Sequence, residues 1–128
     1  MSEHNNDEFW NRQFDVGGNI PGLWFDVAFS LRTAADVLER FKGPHMFEFK
    51  ANVTRSDCKK QSVARVQPML LAMATECLLK ALWLKYGGIL AEGGTYHPIP
   101  KAPNHRLDLL AKAVSEKGDI KFTREEIE

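Results

Sequence analysis

Cysteine is scarce in this chain, and so are long uninterrupted apolar runs. The 128 residues include two cysteines, Cys58 and Cys77, which are too few for a disulfide scaffold and have no spacing typical of a zinc site. Three charged side chains interrupt the most apolar stretch, residues 68–90: Glu76, Lys80 and Lys85. Because the bilayer core tolerates charges only at a large free-energy cost, a membrane span is excluded. With no secretory signal pattern at the start, we expect a reduced, cytoplasmic protein.

Familiar catalytic motifs are missing as well. The sequence has no Gly-x-Ser-x-Gly, no Walker loop and no Gly-x-Gly-x-x-Gly segment, so it predicts neither an esterase-type nucleophile nor a dinucleotide loop. His97 and His105 lie in no ligand pattern with acidic residues or cysteines, so we predict no metal site and no cofactor. Function has to be argued from side-chain clusters.

Charge of one sign does not dominate, since 17 basic and 17 acidic residues cancel. The distribution is uneven, however, because residues 1–39 carry seven acids against two bases and residues 40–66 carry seven bases against two acids. Basic residues mixed with phenylalanines are typical of surfaces that bind phosphates and stack on bases. We name four of these bases the basic stretch and predict that they contact nucleic acid: Arg55, Lys59, Lys60 and Arg65. The competing interpretation is a solvated loop whose phenylalanines cap the core.

Apolar spacing predicts an all-α antiparallel bundle forming one domain. Apolar residues recur in steps of three and four, which mark one face of a helix. The predicted helices cover about 22–41, from 62 or 67 to 86, and 105–117, the last capped by Asn104 and closed by Gly118. The core is expected to contain six leucines: Leu31, Leu38, Leu78, Leu82, Leu107 and Leu110.

The remaining segments show no clear period. We predict that residues 1–18 form a loose arm whose Phe9 and Trp10 tuck onto the body, and that residues 45–61 form a loop. A second, Gly- and Pro-rich loop of unusual length separates the second and third helices. Thr123-Arg-Glu-Glu has the form of a capping box, which predicts that a fourth helix begins there.

Two charges on the most apolar predicted helix need an explanation. Glu76 and Lys80 lie four residues apart and therefore share a helix face. Charges on a buried helix need partners, and His105, in the first turn of the third helix, is a natural partner for Glu76. We therefore predict that Glu76 is largely buried and hydrogen-bonded to His105, to the start of the third helix, or to both. A structural cluster that fixes helix register and a functional site are both open interpretations.

The same segment carries a family resemblance. Residues 71–87 contain Ala74-Thr-Glu-Cys-Leu-Leu-Lys-Ala-Leu and end in Gly87, and Asn104-His-Arg-Leu-Asp-Leu-Leu follows after the loop. This arrangement resembles the HEPN (higher eukaryotes and prokaryotes nucleotide-binding) domain, whose members show Ala-x-Glu-x-x-x-Lys-Ala-Leu, a glycine, and a His-Asp-Leu turn into the next helix. His-Arg-Leu-Asp replaces that turn, so the acid, Asp108, is displaced by two positions.

The resemblance implies a four- or five-helix bundle, usually a homodimer, that acts on or binds RNA or nucleotides. Many such proteins are metal-independent ribonucleases of toxin–antitoxin and phage-defence systems, so an antitoxin-like protein is an expected partner. Their Arg-x4–6-His motif supplies an acid–base histidine and an arginine that steadies the phosphate. Arg40 and His45 fit that spacing and are candidate catalytic residues, although they lie across Gly43-Pro44 at the broken end of a helix. The alternative function is a non-catalytic dimerisation or protein-interaction module.

Overall fold

The structure is a computed structural model that describes residues 3–40, 55–103 and 105–120. These residues form four α-helices and one short antiparallel hairpin, which confirms the predicted all-α class. In chain order the elements are α1 (Glu3–Gly18), α2 (Pro21–Glu39), α3 (Arg55–Lys85), β1 (Ala91–Glu92), β2 (Thr95–Tyr96) and α4 (Leu107–Gly118).

Helices α2 and α3 lie antiparallel along each other. Near the start of α2, Trp24 lies beside Lys80 of α3. Near its end, the Gln67 side-chain amide of α3 donates a hydrogen bond of 3.3 Å to the carbonyl of Ala35. The buried residues of α2 are Ala28 and Ala35, and such small side chains let two helices approach closely. The observed bounds of α2 agree with the predicted helix at about 22–41.

Helix α3 is longer than the sequence predicted. It begins at Arg55, so residues 55–61, predicted as part of a loop, are helical, and Pro68 lies inside the helix instead of in its first turn. An interior proline costs a helix about 3 kcal/mol. The neighbouring Gln67 is buried and hydrogen-bonds to α2, a tertiary contact that helix propensity does not include.

Residues 3–18 form a helix, so the predicted loose arm is wrong. Phe9 and Trp10 contact each other edge to face, with ring centroids 5.3 Å apart, but their residues are 52% and 61% exposed and do not tuck onto the body. The end of α1 is what holds the helix in place. The Asp15 carboxylate accepts a 2.8 Å hydrogen bond from the backbone N–H of Gly94.

Asn19, between α1 and α2, ties the hairpin to the helices. Its amide nitrogen donates to the carbonyl of Ala91 at 2.7 Å. Its amide oxygen accepts from the backbone N–H groups of Leu90 at 2.8 Å and Ala91 at 3.0 Å. Gly18 lies so close to β1 that a Cβ built there would be 2.6 Å from that of Ala91. The α1–α2 turn and β1 are therefore fixed to each other.

The core is centred on the connection between α3 and α4. Its buried members are Leu79, Leu84, Leu90, Ile99, Ala102, Leu110 and Val114. Of the six predicted leucines, Leu110 is fully buried and Leu82 and Leu107 pack partly buried against this core. The other three predictions are wrong: Leu78 is 40% exposed, and Leu31 and Leu38 are half-buried outside the core cluster. One reason is that α2 packs on α3 through its alanines, Ala28 and Ala35. The other is that the loop between α3 and α4 contributes Leu90 and Ile99 to the core.

The ends of α4 also differ from the prediction. Its N-cap is Arg106, with no side-chain capping bond, so the cap predicted at Asn104 is wrong. At the other end Gly118 is the last helical residue, and Asp119 takes the left-handed conformation with φ 51°. His45 and the fourth helix predicted from Thr123 lie outside the described residues. Within the described ranges, no helix is long and apolar enough to cross a membrane.

Candidate functional site

The candidate site is built on a buried ion pair in α3. Glu76 and Lys80 are only 6% and 8% exposed, and the Lys80 Nζ lies 2.9 Å from the Glu76 Oε1. One turn of helix separates the two residues, so the backbone itself aligns their side chains. The buried position predicted for Glu76 is confirmed.

Aromatic rings from two other elements surround the Lys80 ammonium. Its Nζ lies 5.2 Å from the ring centroid of Trp24 in α2 and 5.0 Å from that of Tyr96 in β2, distances at which a cation is attracted to a ring face. Trp24 is held in turn by a 2.9 Å hydrogen bond from its Nε1 to the carbonyl of Gly18. Burial lowers the pKa of Lys80, but its hydrogen bonds to Glu76 and Tyr96 outweigh burial and raise the pKa above its ordinary value. Lys80 is therefore a fixed positive charge.

Glu76 uses its second oxygen to hold a histidine. The His105 Nδ1 lies 2.9 Å from the Glu76 Oε2, which confirms the predicted hydrogen bond between these residues. Burial raises the pKa of Glu76, but its hydrogen bonds to Lys80 and His105 outweigh that effect and lower the pKa below the ordinary value. The carboxylate is therefore ionised at neutral pH and accepts from both partners.

His105 combines this anchored ring with exposure and backbone strain. Its side chain is 84% exposed, although the carboxylate behind it is buried. Its φ of 69° places a non-glycine residue in the left-handed region, which costs free energy and occurs often at functional sites. The bond to Glu76 thus holds an imidazole at the surface in one orientation.

The orientation decides what the imidazole can do chemically. Because an ionised carboxylate only accepts hydrogen bonds, the proton of His105 lies on Nδ1, and Nε2 is left facing away from Glu76. A neutral ring then offers Nε2 as a proton acceptor, and a protonated ring offers an N–H donor for an anionic oxygen such as that of a phosphate. The arrangement suits acid–base chemistry or phosphate binding.

Other predicted site residues do not join this cluster. Asp108 pairs with Arg106 on the exposed start of α4, at 3.1 and 2.8 Å from its Nε and Nη2, so the inclusion of Asp108 in the polar cluster is wrong. Arg40 is exposed at the C-cap of α2, so of the Arg40–His45 pair the structure describes only the arginine.

The basic stretch lies far from His105. Arg55, Lys59, Lys60 and Arg65 all lie on the first turns of α3, and Arg65 is exposed. A helix rises about 1.5 Å per residue, so Lys59 and Glu76 are about 25 Å apart along α3. The structure therefore does not bring the basic stretch and the polar cluster into one site.

Trp24 and Tyr96 are the site residues that sequence reasoning missed. Tyr96 lies in a hairpin whose strands have two residues each. The hairpin belongs to a stretch without apolar periodicity, so no pattern in the sequence marks Tyr96 as a site residue. Trp24 gives a weak signal, since tryptophan is the aromatic side chain that attracts a cation most strongly.

Comparisons with known proteins leave the site to be judged on its geometry. No protein-family model, no curated protein and no solved structure matches the chain. Within the described part of the chain, no group of three or more His, Cys, Asp or Glu side chains is placed to hold a metal ion.

Proposed function

We propose that the chain is a HEPN-like helical domain that binds RNA or nucleotides at the exposed face of His105. The observation that carries the proposal is the use of a buried, ion-paired carboxylate to orient an imidazole whose side chain is 84% exposed. If the cluster only fixed the register of packed helices, we would expect the hydrogen-bond partners of its buried charges to be buried as well. Glu76 instead directs one of its two oxygens to a surface group.

The chemistry of His105 supports a phosphate-bearing ligand. With Nδ1–H bound to Glu76, a protonated ring donates its Nε2–H outward, and hydrogen bonds between charged groups are about twice as strong as neutral ones. The resemblance of the Glu76, Lys80 and His105 segment to the HEPN pattern supports the choice of RNA or nucleotides among phosphate ligands. A ribonuclease activity would use the same Nε2 as a proton acceptor or donor.

Binding of labelled single-stranded RNA tests this proposal. We expect His105→Ala to weaken binding about tenfold, the effect of losing one charge-assisted hydrogen bond of about 1.4 kcal/mol. His97→Ala is the matched control, because His97 is also exposed but its ring nitrogen Nε2 lies 3.3 Å from a backbone carbonyl, that of Glu92, and not from a carboxylate. RNA affinity that is the same in wild type, His105→Ala and His97→Ala contradicts the proposal.

The same samples distinguish binding from catalysis. Incubation with RNA in the presence and absence of magnesium, followed by gel electrophoresis, shows whether the strand is cut. Cleavage without magnesium that is lost in His105→Ala identifies a metal-independent ribonuclease. Intact RNA with His105-dependent binding identifies a binding domain.

A second candidate function is a dimerisation or protein-interaction module. It is favoured by the large apolar side chains that α2 and α3 leave exposed, among them Phe25, Phe29 and Met69 at 52%, 64% and 53%. Contiguous exposed apolar surface is typical of protein interaction sites.

A further inference from the structure

The loop that leads into α4 contains two consecutive β-turns, residues 99–102 and 103–106. In each turn the backbone N–H of the fourth residue donates a hydrogen bond to the carbonyl of the first, at 3.1 and 3.2 Å. The third positions of the turns are Lys101 and His105, whose φ values are 62° and 69°. Both turns therefore hold a non-glycine residue in the left-handed region.

Lys101 is the less expected of these two residues. The proline ring of Pro100 fixes φ at the second position near about −65°, so the positive φ of Lys101 makes residues 99–102 a type II turn. Glycine or asparagine is favoured at the third position of such a turn, and histidine, unlike lysine, is enriched among residues with positive φ. Backbone strain of this kind concentrates at functional sites.

The first turn is fixed at its ends while its corner projects into solvent. Ile99 and Ala102, at the two ends, are each 2% exposed and belong to the core, whereas Pro100 and Lys101 are exposed. At the corner of the next turn, the His105 side chain is exposed as well. One loop therefore presents both side chains to water.

The Lys101 ammonium has no partner in the protein. Within the described part of the chain, its side chain makes no hydrogen bond, ion pair or ring contact. The guanidinium of Arg106, in contrast, is paired with Asp108. An unpaired cation on a strained corner is available to an anion from outside the chain.

We propose that Lys101 binds a second phosphate of the RNA strand that His105 contacts. The inference rests on the proposed function of His105. Four residues of chain span at most about 14 Å, so one strand can contact both side chains. Because phosphate contacts position a strand without reading its bases, Lys101 increases affinity for RNA but adds no sequence preference.

Lys101→Gly separates strain from binding, because glycine adopts the left-handed conformation freely and carries no charge. We expect its melting temperature to be about 2–5 °C above that of the wild type, since the relief of strain exceeds the entropic cost of glycine. We expect its affinity for a labelled single-stranded RNA to be about three- to tenfold lower. The slope of log affinity against log salt should become shallower by about 0.7, the value for one phosphate contact.

Two further variants control for charge. Lys101→Arg keeps the positive charge and should bind RNA like the wild type. Lys85→Gln removes one positive charge from an exposed position at the end of α3 and should also bind like the wild type. An equal loss of affinity in Lys85→Gln and Lys101→Gly would reduce the effect to net charge and overturn the proposal.

His105→Ala, measured beside these variants, separates failure of this inference from failure of the proposed function. If His105→Ala weakens binding while Lys101→Gly keeps the affinity and salt slope of the wild type, the inference is wrong and the proposed function stands. If the wild type does not bind RNA, or His105→Ala binds it equally well, both are wrong. A melting temperature of Lys101→Gly below that of the wild type would also overturn the inference, since Lys101 would then serve folding.

Discussion

Glu76 joins three parts of the molecule through two oxygens. Its Oε1 binds Lys80, whose ammonium contacts Trp24 of α2 and Tyr96 of the hairpin, and its Oε2 binds His105 before α4. Among the described residues, every buried side-chain nitrogen and oxygen has a hydrogen-bond partner. In such a satisfied network, removal of one charge leaves another buried and unpaired.

Glu76→Gln is therefore expected to destabilise the fold by about 1–3 kcal/mol, because the Lys80 ammonium loses its counter-charge while it stays buried. Glu76→Leu, which offers Lys80 neither a counter-charge nor an acceptor, is expected to cost at least as much, whereas the double change Glu76→Leu/Lys80→Met removes both charges and is expected to be close to neutral. Urea unfolding at neutral pH measures all three. Asp108→Asn is the matched control, since its pair with Arg106 is exposed and such pairs contribute little.

The difference in stability between wild type and Glu76→Gln should depend on pH, because the pKa of Glu76 is lowered in the folded state. Because the folded pKa of Glu76 lies below its ordinary value of 4.5, its contribution is fully present above that value and is lost as the pH falls through the folded pKa. The wild type should lose its advantage over Glu76→Gln in acid. The folded pKa of Lys80 lies above 10.5, so its contribution is lost only as the pH rises through that higher value. A gap between wild type and variant that widens in acid would refute the ionised Glu76.

At the scale of elements, the hairpin holds α1 and α2 in place although each of its strands has only two residues. A hairpin of this size is not stable by itself. Asn19 supplies the missing contacts by imitating a neighbouring strand, since its amide oxygen accepts from two backbone N–H groups and its nitrogen donates to a carbonyl.

Asn19→Ala is expected to cost about 1–3 kcal/mol, because it leaves the partly buried backbone groups of Leu90 and Ala91 without their partner. Asn6→Ala on α1, which is exposed, is the control. Urea unfolding measures stability, and amide hydrogen exchange should show faster exchange at Leu90 and Ala91 in Asn19→Ala. Unchanged exchange at these two amides would show that Asn19 does not clamp the hairpin.

Sequence reasoning was successful where one helix face is consistently apolar, and it missed elements held by tertiary contacts. Helices α2 and α4 carry apolar residues in steps of three and four, and their approximate extents were predicted. Helix α1 was missed because its large apolar residues stay exposed, so no buried stripe marks it. Leu90 and Ile99 enter the core from a segment with glycines, prolines and no period, which sequence patterning does not detect.

The candidate site was also predicted only in part. Glu76, Lys80 and His105 were grouped correctly because two charges on an apolar helix must find partners. Tyr96 was not found, since its place beside Lys80 depends on the fold of the long loop. The helical spacing also predicts neither the left-handed backbone of His105 nor its 84% exposed side chain.

For the whole molecule, the distance between the basic stretch and His105 is decisive. The net charge is zero, so attraction of a polyanion depends on local fields. Along α3, Arg65 and Arg55 at the two ends of the basic stretch lie about 17 and 32 Å from Glu76, the residue that holds His105. A long RNA strand can contact both at once, whereas a mononucleotide contacts only one.

RNA length should therefore separate the two contributions. For a long single strand, both Lys59→Glu/Lys60→Glu and His105→Ala should weaken binding, and the two losses should add because the sites share no partner. For a mononucleotide, only His105→Ala should matter. Titrations at about 50 and 200 mM salt should show a steep salt dependence for the long strand that becomes shallower in the lysine variant, because fewer counterions are released. Affinity for the long strand that is independent of salt, or equally affected for both ligands by the lysine changes, would remove the basic stretch from the binding surface.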